Sequence, residues 1–182
     1  MDPSSTTALV DLVRRAQRGD ESAQREIILN YQHRVAGFVY AMTSRSDSVE
    51  DLAQQVFIKM IRALNGLQAP AQFESWLFRL ARNTCIDHLR RQKLRRIFLP
   101  FAPEHEGVPE PLGAVDTEEL DALRYAISQL RPQDRALLAL VQEGRSHAEI
   151  AETLKTSVAA VKARLHRARE QLRLHYQSDH ET

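Results

Sequence analysis

The stretch SHAEIAETLKTSVAAVKARLHRAREQL, residues 146–172, decides the fold of at least one part of this chain. Its apolar residues recur at helical spacing, while its basic residues crowd into the second half. Ser146 followed three residues later by Glu149 is a capping-box pattern, which predicts a helix start. Lys155, Thr156 and Ser157 then make a turn, and Ser157 caps a second helix. With Val161 at zero on a helical wheel advancing about 100° per residue, Leu165, Ala168 and Leu172 share its side. Ala159, Lys162, Ala163, His166, Arg167 and Glu170 fall opposite, with Arg164 and Arg169 on the flanks. Ile150, Ala151 and Leu154 give the preceding helix a matching apolar stripe. Two short helices, a three-residue turn and a basic outer face fit a helix-turn-helix whose second helix enters the major groove. Ala159 and Ala163 are small enough for close approach to base edges, and Arg167 can bond a guanine edge bidentately. The competing reading of these residues is an amphipathic helix with a solvated basic face.

Working outward, 182 residues suit one domain or two small ones. A hydrophobic content of 43% supports a packed core, and 27% charged residues support solubility. The single cysteine, Cys85, excludes an internal disulfide and offers no metal-site spacing, which favours a reducing, cytoplasmic setting. No apolar run approaches the roughly 18 residues needed to span a bilayer, and the N-terminus lacks a signal-peptide pattern, so no membrane insertion is expected. The formal net charge of +1 conceals strong segregation. Arg79, Arg82, Arg90, Arg91, Lys93, Arg95 and Arg96 stand against the single Asp87, and the 146–172 stretch ends equally basic. Between them, Glu104, Glu106, Glu110, Asp116, Glu118, Glu119 and Asp121 occur without a Lys or Arg. Two basic helical blocks beside a helix-turn-helix pattern point to a nucleic-acid partner.

The connector PFAPEHEGVPEPLGAVDTEE, residues 100–119, holds four prolines and two glycines and has no sustained apolar period. Proline removes a backbone donor and blocks helix continuation, so this stretch reads as a linker. No segment alternates with period two. The expected fold is therefore all-α: two small helical domains, residues 1–98 and 120–182, joined by a flexible, acidic, Pro-rich linker over 99–119. Nothing in the linker would fix the orientation of one body against the other.

The first domain carries a second informative helix, DLAQQVFIKMIRAL, residues 51–64. With Leu52 at zero, Val56, Met60, Ala53, Leu64 and Phe57 fill one half-circle. The other half displays Asp51, Gln54, Gln55, Ile58 and Arg62. An isoleucine centred among polar residues has the anatomy of a protein interface, a small apolar centre inside a polar rim.

Four stretches in this order and spacing, RRAQRGDESAQREIILNYQHRVAGFVY, VEDLAQQVFIKMIRAL, FESWLFRLARNTCIDHLRR and the opening 146–172 segment, resemble bacterial sigma factors of the extracytoplasmic-function (ECF) class. The resemblance covers both domains. It implies a non-catalytic promoter-specificity subunit of RNA polymerase, with no cofactor, no metal and no small-molecule substrate. Asp51, Gln54, Gln55, Ile58 and Arg62 would dock on the clamp coiled coil of the β′ subunit, and the C-terminal domain would meet the β flap. The loop from Asn65 to Phe73 and the helix after it would recognise and melt the −10 promoter element. The residues concerned are Asn65, Gln68, Gln72, Phe73, Trp76, Arg79, Arg82, Asn83 and Arg90, with Trp76 either a core aromatic or a platform for a base. Extruding a base costs a few kcal/mol of unstacking, which a base pocket and the arginines would offset. Ser157, Lys162, Ala163, Arg164, His166, Arg167 and Arg169 would meet the −35 duplex, with Arg164 and Arg169 on phosphates. An anti-sigma factor is a further partner that the resemblance implies.

Two departures from the family pattern stand out. Gln55 replaces the usual glutamate on the polymerase face, and Ala160 and Ala163 replace hydroxyl residues early in the recognition helix. Two other functions compete. A helix-turn-helix regulator binding duplex DNA without polymerase would not need the Ile58 face. An enzyme would need a nucleophile motif, a phosphate loop or a metal-binding histidine pair. The seven histidines are scattered, and His147-Ala148-Glu149 lacks the Pro-Cys-x-x-Cys partner of zinc deaminases.

Overall fold

The computed structural model describes residues 3–98 and 118–180, and every regular element among them is helical. The predicted linker lies outside the described residues except for Glu118 and Glu119, which open a helix instead. The N-terminal module contains α1 (Pro3–Gln17), α2 (Glu21–Thr43), α3 (Val49–Ala63) and α4 (Phe73–Phe98). Two single 3₁₀ turns, Leu64–Gly66 and Pro70–Gln72, join α3 to α4. The C-terminal module contains α5 (Glu118–Gln129), α6 (Pro132–Gln142), α7 (His147–Leu154) and α8 (Val158–His180).

Local chemistry sets the helix ends. Gly19, at φ +87°, turns the chain after α1, and Asp20 caps α2 by accepting from the Ser22 and Ala23 amides. Ser48 precedes α3 in helical rather than extended conformation and makes no side-chain cap bond. Pro132 occupies the first turn of α6, where its missing N–H costs nothing. Ser146 and Glu149 form the complete capping box of α7. Lys155, at φ 52°, makes the turn into α8, and Ser157 accepts from the Ala160 amide.

The apolar stripes turn inward as the wheels require. Leu12, Val13 and Ala16 of α1, Ile27, Val35, Phe38 and Val39 of α2, and Leu52, Val56 and Met60 of α3 close around Leu77, Phe78 and Ala81 of α4. In the second module Ile150 and Ala151 meet Val161 and Leu165. One expectation fails. The two modules are not separately oriented bodies: Ala136, Leu137, Ala139 and Leu140 of α6 continue the core of the N-terminal module. Helix α6 lies against α2 and α7 lies against α4. The physical reason is that α6 is apolar on more than one side, so α8 alone cannot cover it.

Candidate polymerase and nucleic-acid interfaces

On α3 the pattern predicted for docking is present in space. Asp51, Gln54, Gln55 and Arg62 are exposed, and Ile58 is 42% exposed. Ile58 and Ile61 border an apolar groove floored by Ala53, Phe57 and Ala36, with Gln32, His33 and Gln54 around it. The helix keeps its buried side with Leu52, Val56, Phe57 and Met60, so this outer face is surplus to the fold.

The residues assigned to the −10 element divide. Asn65, Gln68, Gln72, Asn83 and Arg90 are exposed, while Trp76, Arg79 and Arg82 are partly covered. Phe73 is a correction. It has no exposed surface and stacks edge-on against Tyr31 at 5.5 Å, so it is a core residue and not a base contact. Trp76 leans on Phe73 with ring centroids 6.0 Å apart and packs against the core while keeping part of its surface open. Burial, followed by the nearby Arg164, pushes the pKa of Arg82 down. Its Nε is enclosed without a hydrogen-bond partner.

On α8 the outward face carries Lys162, Ala163, His166, Arg167 and Arg169, all exposed, along with Ser157 at its start. Arg164 corrects the second expectation. Its Nε donates to Asp134 at 2.6 Å and its Nη2 to Gln133 at 2.9 Å, so it braces α8 against α6 and is not a free phosphate ligand. Arg82 of α4 meets Arg131, Arg164 and Arg167 around one cleft of about 570 Å³. The surfaces expected to meet the −10 and −35 elements are thus neighbours.

A set of charged residues between the modules had no counterpart in the sequence reading. Glu74, in the first turn of α4, accepts from the Tyr31 hydroxyl at 2.7 Å and from Arg34 Nη1 at 2.8 Å, and pairs with Arg145. Arg34 also donates from Nε to Glu143 at 2.6 Å, and Arg145 pairs with Glu149 at 3.1 Å. The guanidiniums of Arg34 and Arg145 lie 5.4 and 5.6 Å from the Phe78 ring. Burial works to raise the Glu74 carboxyl, but Arg34, the Tyr31 hydroxyl and Arg145 outweigh it and hold the group below the ordinary glutamate value. Arg135, also buried, reaches across to Ser44 Oγ at 2.8 Å and to the Ser128 carbonyl at 3.1 Å. A faint sequence signal exists for two of these: Arg34 and Arg135 interrupt apolar stripes. Arg145, in a turn, gives none.

Among the described residues no group of three or more metal-ligating side chains occurs, and no helix is long and apolar enough to cross a membrane.

An all-helical pair of modules, one with an exposed docking helix and the other with a helix-turn-helix, defines a DNA-binding transcription protein. Residues 27–95 match the family model for sigma-70 region 2, and residues 120–172 match that for sigma-70 region 4. The chain is 34% identical to the RNA polymerase sigma-H factor of Pseudomonas aeruginosa over 87% of its length and 89% of that protein's. It is 32% identical to the ECF RNA polymerase sigma-E factor of Escherichia coli, again over 87% and 89%. The fold is similar to that of CnrH, solved in complex with the cytosolic domain of CnrY, at TM-score 0.68 and 23% identity over 94% of this chain and 99% of that one. It is also similar to the sigma factor RpoE of Bartonella quintana, solved with the anti-sigma factor NepR, at TM-score 0.69 and 22% identity over 85% and 97%. This chain belongs to the ECF group of sigma-70-type RNA polymerase sigma factors. It is a promoter-specificity subunit of RNA polymerase, with promoter DNA as its other partner.

Proposed function

We propose that the outer face of α3, Asp51, Gln54, Gln55, Ile58 and Arg62, docks on the β′ clamp of core polymerase. The loop after α3 and the surface of α4 then melt the −10 element, and α8 reads the −35 duplex through Lys162, Ala163, His166 and Arg167. Arg169 holds phosphate, and the C-terminal module sits on the β flap. The protein works in the cytoplasm and catalyses no reaction of its own. An anti-sigma factor that covers these faces belongs to the same proposal.

The observation that carries the proposal is the exposed Ile58–Ile61 groove inside a polar rim, on a helix whose buried side already satisfies the fold. A regulator that bound duplex DNA alone would have no use for it. The test is run-off transcription with purified core polymerase on a genomic promoter library. Transcripts that start from a set of promoters sharing two spaced elements support the proposal. Sequence-specific duplex binding without polymerase, and no transcripts with it, would favour the stand-alone regulator.

A further inference from the structure

Helices α4, α6 and α8 meet around the cleft of about 570 Å³, and the fold leaves its charge unbalanced. Four arginines line it: Arg82 from α4, Arg131 from the residue that precedes α6, and Arg164 and Arg167 from α8. Among the described residues, Asp134 is the only carboxylate in the lining, and it is committed to Arg164 at 2.6 Å. Arg131 makes no side-chain cap bond to α6, and neither it nor Arg167 meets a carboxylate there. Arg82 shows the strain in this arrangement. Its Nε is enclosed without a hydrogen-bond partner, and its Nη1 reaches only the adjacent Asn83, at 3.3 Å. Burial first, and the Arg164 charge second, push its pKa down. Both effects disfavour the guanidinium, and an anion in the cleft would offset both.

The rest of the lining suits a small phosphorylated molecule. Thr156 and Gln171 add hydrogen-bonding side chains, while Leu154 and Ala160 present apolar surface. The first turn of α6 opens here at Gln133 and Asp134, where the helix dipole favours negative charge. The volume lies within the range of about 300–1,000 Å³ typical of small-molecule sites. A DNA duplex is too broad to enter a hollow of that size, and Arg131 belongs to neither set of residues assigned to promoter DNA. A hollow lined by one sign of charge also concentrates counter-ions.

The geometry points to a binding site for a small polyphosphate anion, of the kind that nucleoside di- and triphosphates carry, held among Arg82, Arg131 and Arg167. Guanidinium–phosphate pairing is charge-assisted and bidentate, so three unanswered arginines match two or three linked phosphates. A single phosphate would serve poorly, because the three arginines come from three different elements. Leu154 and Ala160 give the remainder of a nucleotide a place to lie. The inference goes beyond the promoter reading, since such binding needs neither polymerase nor DNA. Arg82 and Arg167 would then answer to a soluble anion as well as to the promoter.

Isothermal titration calorimetry on the full-length protein, at low salt and without divalent cations, tests this. The probes are orthophosphate, tripolyphosphate, ADP and ATP, with adenosine as the uncharged control. Tripolyphosphate, ADP and ATP should bind with a stoichiometry of about one, orthophosphate about tenfold more weakly, and adenosine not at all. ATP binding tighter than tripolyphosphate supports a nucleotide as the ligand, and equal affinities support the site with inorganic polyphosphate as its ligand. Arg131→Gln and Arg82→Gln should each weaken tripolyphosphate about tenfold or more, as the loss of a charge-assisted hydrogen bond implies. Arg25→Gln removes the same charge from an exposed position on α2 and should leave the affinity unchanged. Thermal unfolding confirms that each variant folds, and tripolyphosphate should raise the midpoint of the parent more than that of Arg131→Gln. No binding by any phosphorylated probe would overturn the site and leave these arginines to DNA alone. A stoichiometry well above one, or equal weakening by Arg25→Gln, would overturn it too, by showing general attraction to a basic surface.

Discussion

Helices α3 and α4 stand side by side in one module, and both carry surface the fold does not need, yet their situations differ. On the outer face of α3, Ile58 and Ile61 remain open along the groove shared with α2. The first turns of α4 are already engaged, with Glu74 tied to Arg34 and Arg145 and Ser75 to Glu152. The difference teaches that two binding faces of equal promise in sequence need not be equally available in the free protein. Exposure is a property of the whole chain, not of the helix.

The sharpest way to break this contrast is Glu74→Ala. It leaves the Arg34 and Arg145 guanidiniums covered with only Glu143 and Glu149 to answer them. Losing one member of a buried ion pair is strongly destabilising, so thermal or urea unfolding should show a loss of about 3 kcal/mol. The pH dependence follows from the same group, which faces the Tyr31 hydroxyl, Arg34 and Arg145. Its carboxyl titrates lower in the folded chain than the ordinary value of 4.5. Its contribution is therefore fully present above that value and is lost as pH falls through the lowered native pKa. The parent should lose this stability on acidification, and Glu74→Ala should lack that component of the acid transition.

A second comparison separates the arginines of α8. Arg167→Ala in holoenzyme should relax discrimination at one −35 base by roughly 1–3 kcal/mol, measured across −35 variants. Arg169→Ala should weaken all variants alike and soften the salt dependence. A uniform loss from Arg167→Ala would make it a phosphate clamp and pass base reading to Lys162 or His166. Arg164, tied to Asp134, should instead reveal itself through stability.

Smaller still is Ser146→Ala. Ser146 Oγ accepts from the Glu149 amide at 3.3 Å while the Glu149 carboxylate accepts from the Ser146 amide at 2.8 Å. Removing the hydroxyl should cost about 1 kcal/mol in unfolding experiments. A larger loss would mean that the cap also positions Arg145.

The sequence was most readable where a pattern is local. The stripes of α3, α7 and α8, the Ser146 capping box and the turn at Lys155 follow from spacing and backbone chemistry within a few residues. The outward residues of α3 and most of those on α8 follow from the same wheels. What could not be read depends on partners distant along the chain. Phe73 looks like a loop-edge aromatic until Tyr31 and Trp76 enclose it. Arg164 looks like a flank arginine until Asp134, thirty residues earlier, claims it. Docking of the modules was hidden because an acidic, Pro-rich connector says nothing of whether the bodies it joins attract one another. The charges that join them, Arg34, Glu74 and the pair Glu143 and Arg145, come from three segments far apart in sequence and are individually ordinary.

The most direct test of the central claim is Ile58→Asp, with thermal unfolding and core-polymerase binding measured on the same preparation. Ile58 is surplus to the fold and central to the groove, so its stability effect should be the smallest of all, within about 0.5 kcal/mol as for an ordinary surface change. Core binding should nevertheless collapse, because the complex would bury an unpaired carboxylate. A marked loss of thermal stability, or polymerase binding that survives the substitution, would contradict the assignment of α3 as the open docking face.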